Sequence, residues 1–308
     1  MNTYRTFFTL LIFLLILGCT KNEENNSGGL LSVNGVDLYV KTIGDGEPLI
    51  VLHGGPGLSH DYFLPHLELL SDEMKLILFD QRGMGRSSVE LDSTSFSLDL
   101  LIEDIEALRK NFGYDTIHLM GHSWGGILAM QYAAAYPGSL KSLILCNTMP
   151  ATPEFDELLV ENFTRTFERQ NMADLAPYQQ KIDAGTRDTK IFERFMQLHF
   201  RPSFYDTSDV NKLNINLSEN YFKTQELLQY LTPTEESLPL LPVLENLHIP
   251  VLIIRGEIEA IPLESDQKLE QTLPDAELVN IPQAGHFPFI EKPEEFKWIV
   301  ADFIEQNS

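Results

Sequence analysis

Five residues, Gly121-His122-Ser123-Trp124-Gly125, set a serine between two glycines. A serine hydroxyl becomes a nucleophile only when a neighbouring base takes its proton, and a histidine base needs a carboxylate to hold its tautomer. Downstream, His286 stands in Ala284-Gly285-His286-Phe287-Pro288, and the stretch Gly256-Glu257-Ile258-Glu259-Ala260 supplies two glutamates. The resulting chain order of nucleophile, acid and histidine suits acyl transfer through a covalent acyl-serine. Glu259 is preferred as the acid because it lies further into its loop and can turn toward His286. Glu257 is the alternative, and either glutamate could instead cap the helix that follows. The other histidines fit the base role less well. His53, His60 and His66 precede the serine, His118 falls inside an expected strand, His122 is tied to the turn, and His199 and His248 lie in or near a helical stretch. A further glycine cluster, His53-Gly54-Gly55-Pro56-Gly57, would let the Gly55 N–H approach a substrate carbonyl. With the N–H of Trp124 it would form an oxyanion hole; a plain tight turn is the other reading.

These residues need elements that bring them together. Short runs apolar throughout, at residues 49–52, 76–79, 116–120 and 143–146, are separated by helix-length segments, the pattern of a parallel sheet covered on both faces. Ser123 follows one such run and precedes a helix expected over 126–135, so it sits on a sharp strand-to-helix turn. Leu98, Leu101, Ile102, Ile105 and Leu108 give the intervening segment 98–112 a helical period. Asn34-Gly35, between alternating segments, predicts an antiparallel hairpin at the start of the domain. The alternation stops near Asn147 and resumes at residues 250–255. Between them, amphipathic helices punctuated by Pro153, Pro177, Pro202, Pro233 and Pro239 read as an inserted cap. A helix over 263–273, a strand over 276–281 and a last helix from Pro293 close the chain.

The composition narrows the partners. With 45 acidic against 22 basic residues, a formal charge of -23 and no basic cluster, the chain is a poor ligand for nucleic acid. An acidic surface can concentrate cationic substrates, but the preferred reading of this charge is a well-solvated exported protein. Arg5, an apolar run over 7–17 and Gly18 have the layout of a signal peptide, the run being shorter than the roughly 20 residues a spanning helix takes. Ile16-Leu17-Gly18-Cys19 resembles the bacterial lipobox, which implies a lipid on Cys19, a membrane-tethered lipoprotein and a place in the bacterial cell envelope, on its periplasmic side or at the cell surface. An ordinary signal peptide cut nearby, leaving Cys19 free, is the alternative. The polar tract after Cys19 has little to bury and reads as a flexible tether. Cys146, inside an apolar run, is expected to be a buried, inert thiol. The expected division is a leader over 1–18, a tether over 19–29, a core over 30–147 and 246–308, and a cap over 148–245.

The residues quoted above, together with His53-Gly54-Gly55-Pro56-Gly57-Leu58-Ser59-His60-Asp61-Tyr62 and Asp80-Gln81-Arg82-Gly83-Met84-Gly85-Arg86-Ser87, resemble the α/β-hydrolase superfamily and, within it, the proline iminopeptidase-like branch. The resemblance spans the core and not the cap. It implies an α/β-hydrolase fold, a mostly parallel sheet flanked by helices with an inserted helical cap. It also implies a serine hydrolase that releases an amino-terminal residue, often proline, from short peptides or amides, without metal or organic cofactor. Residues 80–87 are then a structural loop near the site. The chain departs from the branch in two places: Glu259 stands where aspartate is usual, and Ala260 where some members carry a glutamate that binds the substrate's ammonium group. Glu219 and Glu226 of the cap match no motif for that role. A carboxylesterase or lactonase on the same residues is the alternative enzyme, and a non-catalytic surface binding protein the alternative of another kind. Dehalogenase and epoxide hydrolase readings are disfavoured, since those families place aspartate at the turn.

Overall fold

In the computed structural model, residues 26–88, 90, 92, 94–168, 170–231 and 240–308 are described. The expected leader, Cys19 and most of the expected tether lie outside them.

Eight strands form one sheet in the order β1-β2-β4-β3-β5-β6-β7-β8. They are β1 (Asn26–Val33), β2 (Val36–Ile43), β3 (Glu47–Leu52), β4 (Met74–Phe79), β5 (Ile117–His122), β6 (Leu140–Cys146), β7 (Val251–Gly256) and β8 (Ala276–Ile281). The first two make the expected hairpin, with Asn34 at φ 48° and Gly35 at φ 75° between the paired Val33 and Val36. β1 starts at Asn26, inside the stretch expected to be tether, because residues 26–29 pair with residues 40–43 of β2 and so satisfy their backbone groups in the ladder. β2 runs antiparallel to β4, and β4, β3, β5, β6, β7 and β8 run parallel.

From β3 the chain moves outward to β4 and then crosses back to β5 on the other side of β3. Such a reversal opens a crevice at the carboxyl ends of the two strands, the usual place for a site in an α/β sheet. The glycines at 54 and 55 follow β3 there, and Ser123 follows β5.

Alternate residues of the parallel strands feed two cores. Ile50, Leu52, Leu119, Leu143, Leu145 and Ile253 pack with α1 (Leu98–Asn111) and α2 (Trp124–Ala135) on one face. Leu49, Val51, Met120, Ile144 and Leu252 pack on the other with Phe289, Phe296 and Val300, from α9 (Pro288–Glu291) and α10 (Pro293–Gln306). With both faces covered, the inner stretches of β3, β4, β6 and β7 are runs of apolar residues rather than alternating ones, whereas β8 at the edge interleaves polar and apolar residues. The Ser97 side chain caps α1 by accepting from the Leu100 N–H.

Between β6 and β7 the chain forms α3 (Asp156–Glu168), α4 (Met172–Asp183), α5 (Thr189–His199), α6 (Tyr221–Leu227) and α7 (Leu241–Leu244), with 3-10 turns between them. Pro177 lies inside α4 instead of breaking the chain there. It stands midway along the helix, where its ring removes one backbone donor. The insertion is fastened to the core by Asn216 Nδ2 donating to Asp61 Oδ2 at 3.0 Å and by Thr224 Oγ1 donating to Gly83 O at 2.7 Å. Helix α8 (Leu263–Thr272) links β7 to β8. Among the described residues no helix is long and apolar enough to cross a membrane.

Candidate active site

Ser123 sits at φ 56°, ψ -124°, a conformation L-residues avoid, between the last residue of β5 and the first of α2. Hydrogen bonds hold it there: its N–H donates to Cys146 O at 3.0 Å and its carbonyl accepts from Gly126 N at 2.9 Å. The glycines on either side are required by contact. A Cβ on Gly121 would lie 2.4 Å from Gly125 O, and one on Gly125 would lie 2.5 Å from Leu52 O. The helix starts at Trp124, two residues earlier than expected, so the N–H of Trp124 is one of the amino-terminal donors without an intrahelical acceptor. The glycine loop after β3 abuts the serine, since a Cβ on Gly54 would stand 3.0 Å from Ser123 Cβ.

His286 lies in the loop between β8 and α9 and is buried at 8% exposure. Its Nδ1 meets Glu259 Oε2 at 2.7 Å, in the loop after β7. The Glu259 side chain is 2% exposed and also accepts from Asn147 Nδ2, on Oε2, and from the Ile261 N–H at 3.1 Å, on Oε1. Burial pushes its carboxyl upward, but the field of His286 and these donors outweigh it and bring it down to about 2 from 4.5. Glu257, the alternative, is exposed and accepts from the Gln283 N–H at 2.7 Å, away from His286.

A cavity of about 210 Å³ is lined by Ser123, His286, Glu259, Gly55, Phe163 and Phe200, among others. Leu58, Met149 and Phe287 complete its apolar wall. Neither Glu219 nor Glu226 lines it; the latter pairs with Lys223 at 3.8 Å at the surface.

A second network, centred on His122 and Tyr62, was not legible in the sequence. His122 Nε2–H donates to His286 O at 2.8 Å, its Nδ1 accepts from Tyr62 Oη at 2.8 Å, and that oxygen accepts from the Gly54 N–H. Burial and then the neighbouring His286 push the His122 imidazole down to about 3, so the ring is neutral and this tautomer satisfies every partner. The glycine loop, the turn at Ser123 and the His286 loop are thereby joined by buried hydrogen bonds. Asn147 was missed as well; its position one residue past β6 was the only signal. Cys146 is buried, and burial pushes its thiol up. Residues 80–87 act structurally: Asp80 receives His60 Nδ1 at 2.6 Å, and Arg82 Nη2 reaches Asp104 Oδ1 at 2.6 Å.

The family model for the alpha/beta hydrolase fold matches residues 47–293. The chain belongs to that family. Within it the hydrolase is proline iminopeptidase-like. The proline iminopeptidase of Heyndrickxia coagulans is 28% identical over 273 residues, covering 85% of this chain and 91% of its own. That of Thermoplasma volcanium is 27% identical over 296 residues, covering 91% and 97%. Among solved structures, a thermophilic esterase from Thermogutta terrifontis superposes on the hydrolase with a TM-score of 0.68 at 25% identity, across 92% of this chain and 100% of its own.

Proposed function

We propose that the chain is a serine hydrolase in which Ser123, His286 and Glu259 act as a triad. The observation that carries this reading is the 2.7 Å contact between His286 Nδ1 and Glu259, made at the wall of the cavity that Ser123 also lines. Ser123 Oγ attacks the substrate carbonyl while His286 Nε2 takes its proton. Glu259 keeps the other proton on Nδ1 and stabilises the imidazolium that forms. The N–H groups of Gly55 and Trp124 receive the oxyanion. His286 then protonates the leaving group, and water repeats the sequence to free the acid and restore Ser123.

The substrate class we infer first is a peptide or amide with a free amino-terminal residue, proline or another small one, in keeping with the names of the relatives. A carboxylesterase or lactonase is the second reading, and the cavity supports it. Among the described lining residues the only carboxylate is Glu259, and three donors already occupy it. A free ammonium therefore meets no unengaged counter-charge on that wall. Turnover of aminoacyl arylamides against aryl esters, with Ser123→Ala as control, decides between them. Prolyl arylamide turnover abolished in Ser123→Ala supports the first reading, and ester turnover alone the second. A chain that neither turns over nor reacts with a fluorophosphonate is not a serine hydrolase.

We also infer that Cys19 is lipidated and tethers the hydrolase to a membrane, on the strength of Ile16-Leu17-Gly18-Cys19 and the polar tract behind it. Cys19→Ala should move the protein from the detergent phase to the aqueous phase; an unchanged partition refutes the anchor.

A further inference from the structure

Glu291 is the last residue of α9, and Phe289 and Ile290 before it are buried, which fixes where its side chain starts. Its carboxylate collects three backbone donors from two parts of the chain. Oε2 accepts from the Gly285 N–H at 2.6 Å, and Oε1 accepts from Tyr205 N at 2.8 Å and Asp206 N at 3.2 Å. Gly285 immediately precedes His286, whereas Tyr205 and Asp206 belong to the insertion. The two backbones also touch directly, since the His286 N–H donates to Ser203 O at 2.8 Å. A Cβ on Gly285 would lie 2.1 Å from that same oxygen, so only glycine permits the approach.

From this geometry we propose that Glu291 is a positioning residue that joins segment 203–206 of the insertion to the loop carrying His286, so that the imidazole is held in place only while that segment is docked. The proposal rests on the reading of His286 as the base. An ionised carboxylate is acceptor-only, with lone pairs for donors on both oxygens, and is therefore suited to clasp N–H groups that approach from opposite sides. A neutral amide of the same shape is not. Its single oxygen can serve Gly285 or the 205–206 pair, and its NH2 then faces a donor on the other side.

Glu291→Gln in the full chain tests this, because it keeps size and shape while breaking one half of the clasp. Three quantities are compared with the unmutated protein: amide exchange over 203–206 and 284–287 by mass spectrometry, kcat and KM for p-nitrophenyl acetate, and the rate of Ser123 labelling by a fluorophosphonate. Exchange should rise in both segments together, and kcat and labelling should fall about tenfold with KM nearly unchanged, the pattern expected when the imidazole and not the substrate is misplaced. Unchanged kcat and labelling, or exchange rising in one segment alone, overturns the proposal. So does exchange rising over the whole chain including β5 and β6, which would make Glu291 a general stabiliser. If the unmutated protein itself resists labelling, the serine-hydrolase reading fails, while the exchange comparison still decides whether the two segments are joined.

Discussion

Replacing Glu259 by glutamine changes one oxygen to an NH2 and leaves the volume of the side chain intact, so its effect isolates the acceptor role. In the structure the carboxylate receives His286 Nδ1 and Asn147 Nδ2 on one oxygen and the Ile261 N–H on the other. Glutamine can be placed in two ways. With its oxygen toward His286, the NH2 faces the Ile261 N–H and leaves a buried donor unpaired, at about 1–3 kcal/mol of stability. With its NH2 toward His286, Nδ1 must accept, the ring proton moves to Nε2, and in the proposed triad the imidazole could then no longer take a proton from Ser123. Loss of the orienting carboxylate in a Ser-His-acid triad lowers kcat by about 10⁴, or ~5.5 kcal/mol of transition-state stabilisation. Glu259→Gln should therefore reduce kcat by about 10³–10⁴ on whichever aryl ester or arylamide the unmutated protein turns over, with a far smaller change in KM. Glu257→Gln, at an exposed side chain that holds only the Gln283 N–H, should stay within about threefold. Activity of Glu259→Gln within tenfold of the unmutated protein, or a larger loss in Glu257→Gln, would refute the assignment of the acid.

Other outcomes follow from the same contacts. Because the Glu259 carboxyl lies at about 2 in the fold against 4.5 when free, its contribution to stability is complete above pH 4.5 and is lost as pH falls toward 2; acid unfolding of Glu259→Gln should be correspondingly less steep over that window, as read by fluorescence. Tyr62→Phe removes the hydroxyl that joins Gly54 to His122 and leaves two buried groups without partners, so kcat should fall about 10- to 100-fold and the melting temperature should drop; an unchanged kcat would show that the network does not align the site. Gly121→Ala would press a Cβ to 2.4 Å from Gly125 O, and the expected result is a destabilisation of at least ~1–3 kcal/mol in chemical denaturation with loss of Ser123 labelling. Asp266→Ala strands Arg255, which is 6% exposed and paired with that carboxylate, and should cost about 3–5 kcal/mol of unfolding free energy; a loss under 1 kcal/mol would mean the pair is dispensable.

Sequence alone determined the parts of this protein that local chemistry specifies. The uniformly apolar runs mark strands buried on both faces, Asn34-Gly35 marks a hairpin whose positive φ angles those residues tolerate, and the glycines around Ser123 mark a turn too tight for a side chain. What the tertiary structure decided is everything that depends on distance between segments far apart in the chain. Two glutamates with one residue between them differ on paper only in that Glu259 lies further into its loop. Only the path of the backbone after β7 sends Glu259 inward to His286 and leaves Glu257 in solvent. Asn147 and Glu291 belong to no motif, and the motif that contains Tyr62 gives no sign of its partners, because a hydrogen bond across the fold imposes no spacing on the sequence. They take part in the site because the crevice where the strand order reverses brings β3, β5, β6 and β7 to one edge. There, every buried donor and acceptor must find its partner among whatever neighbours the packing supplies.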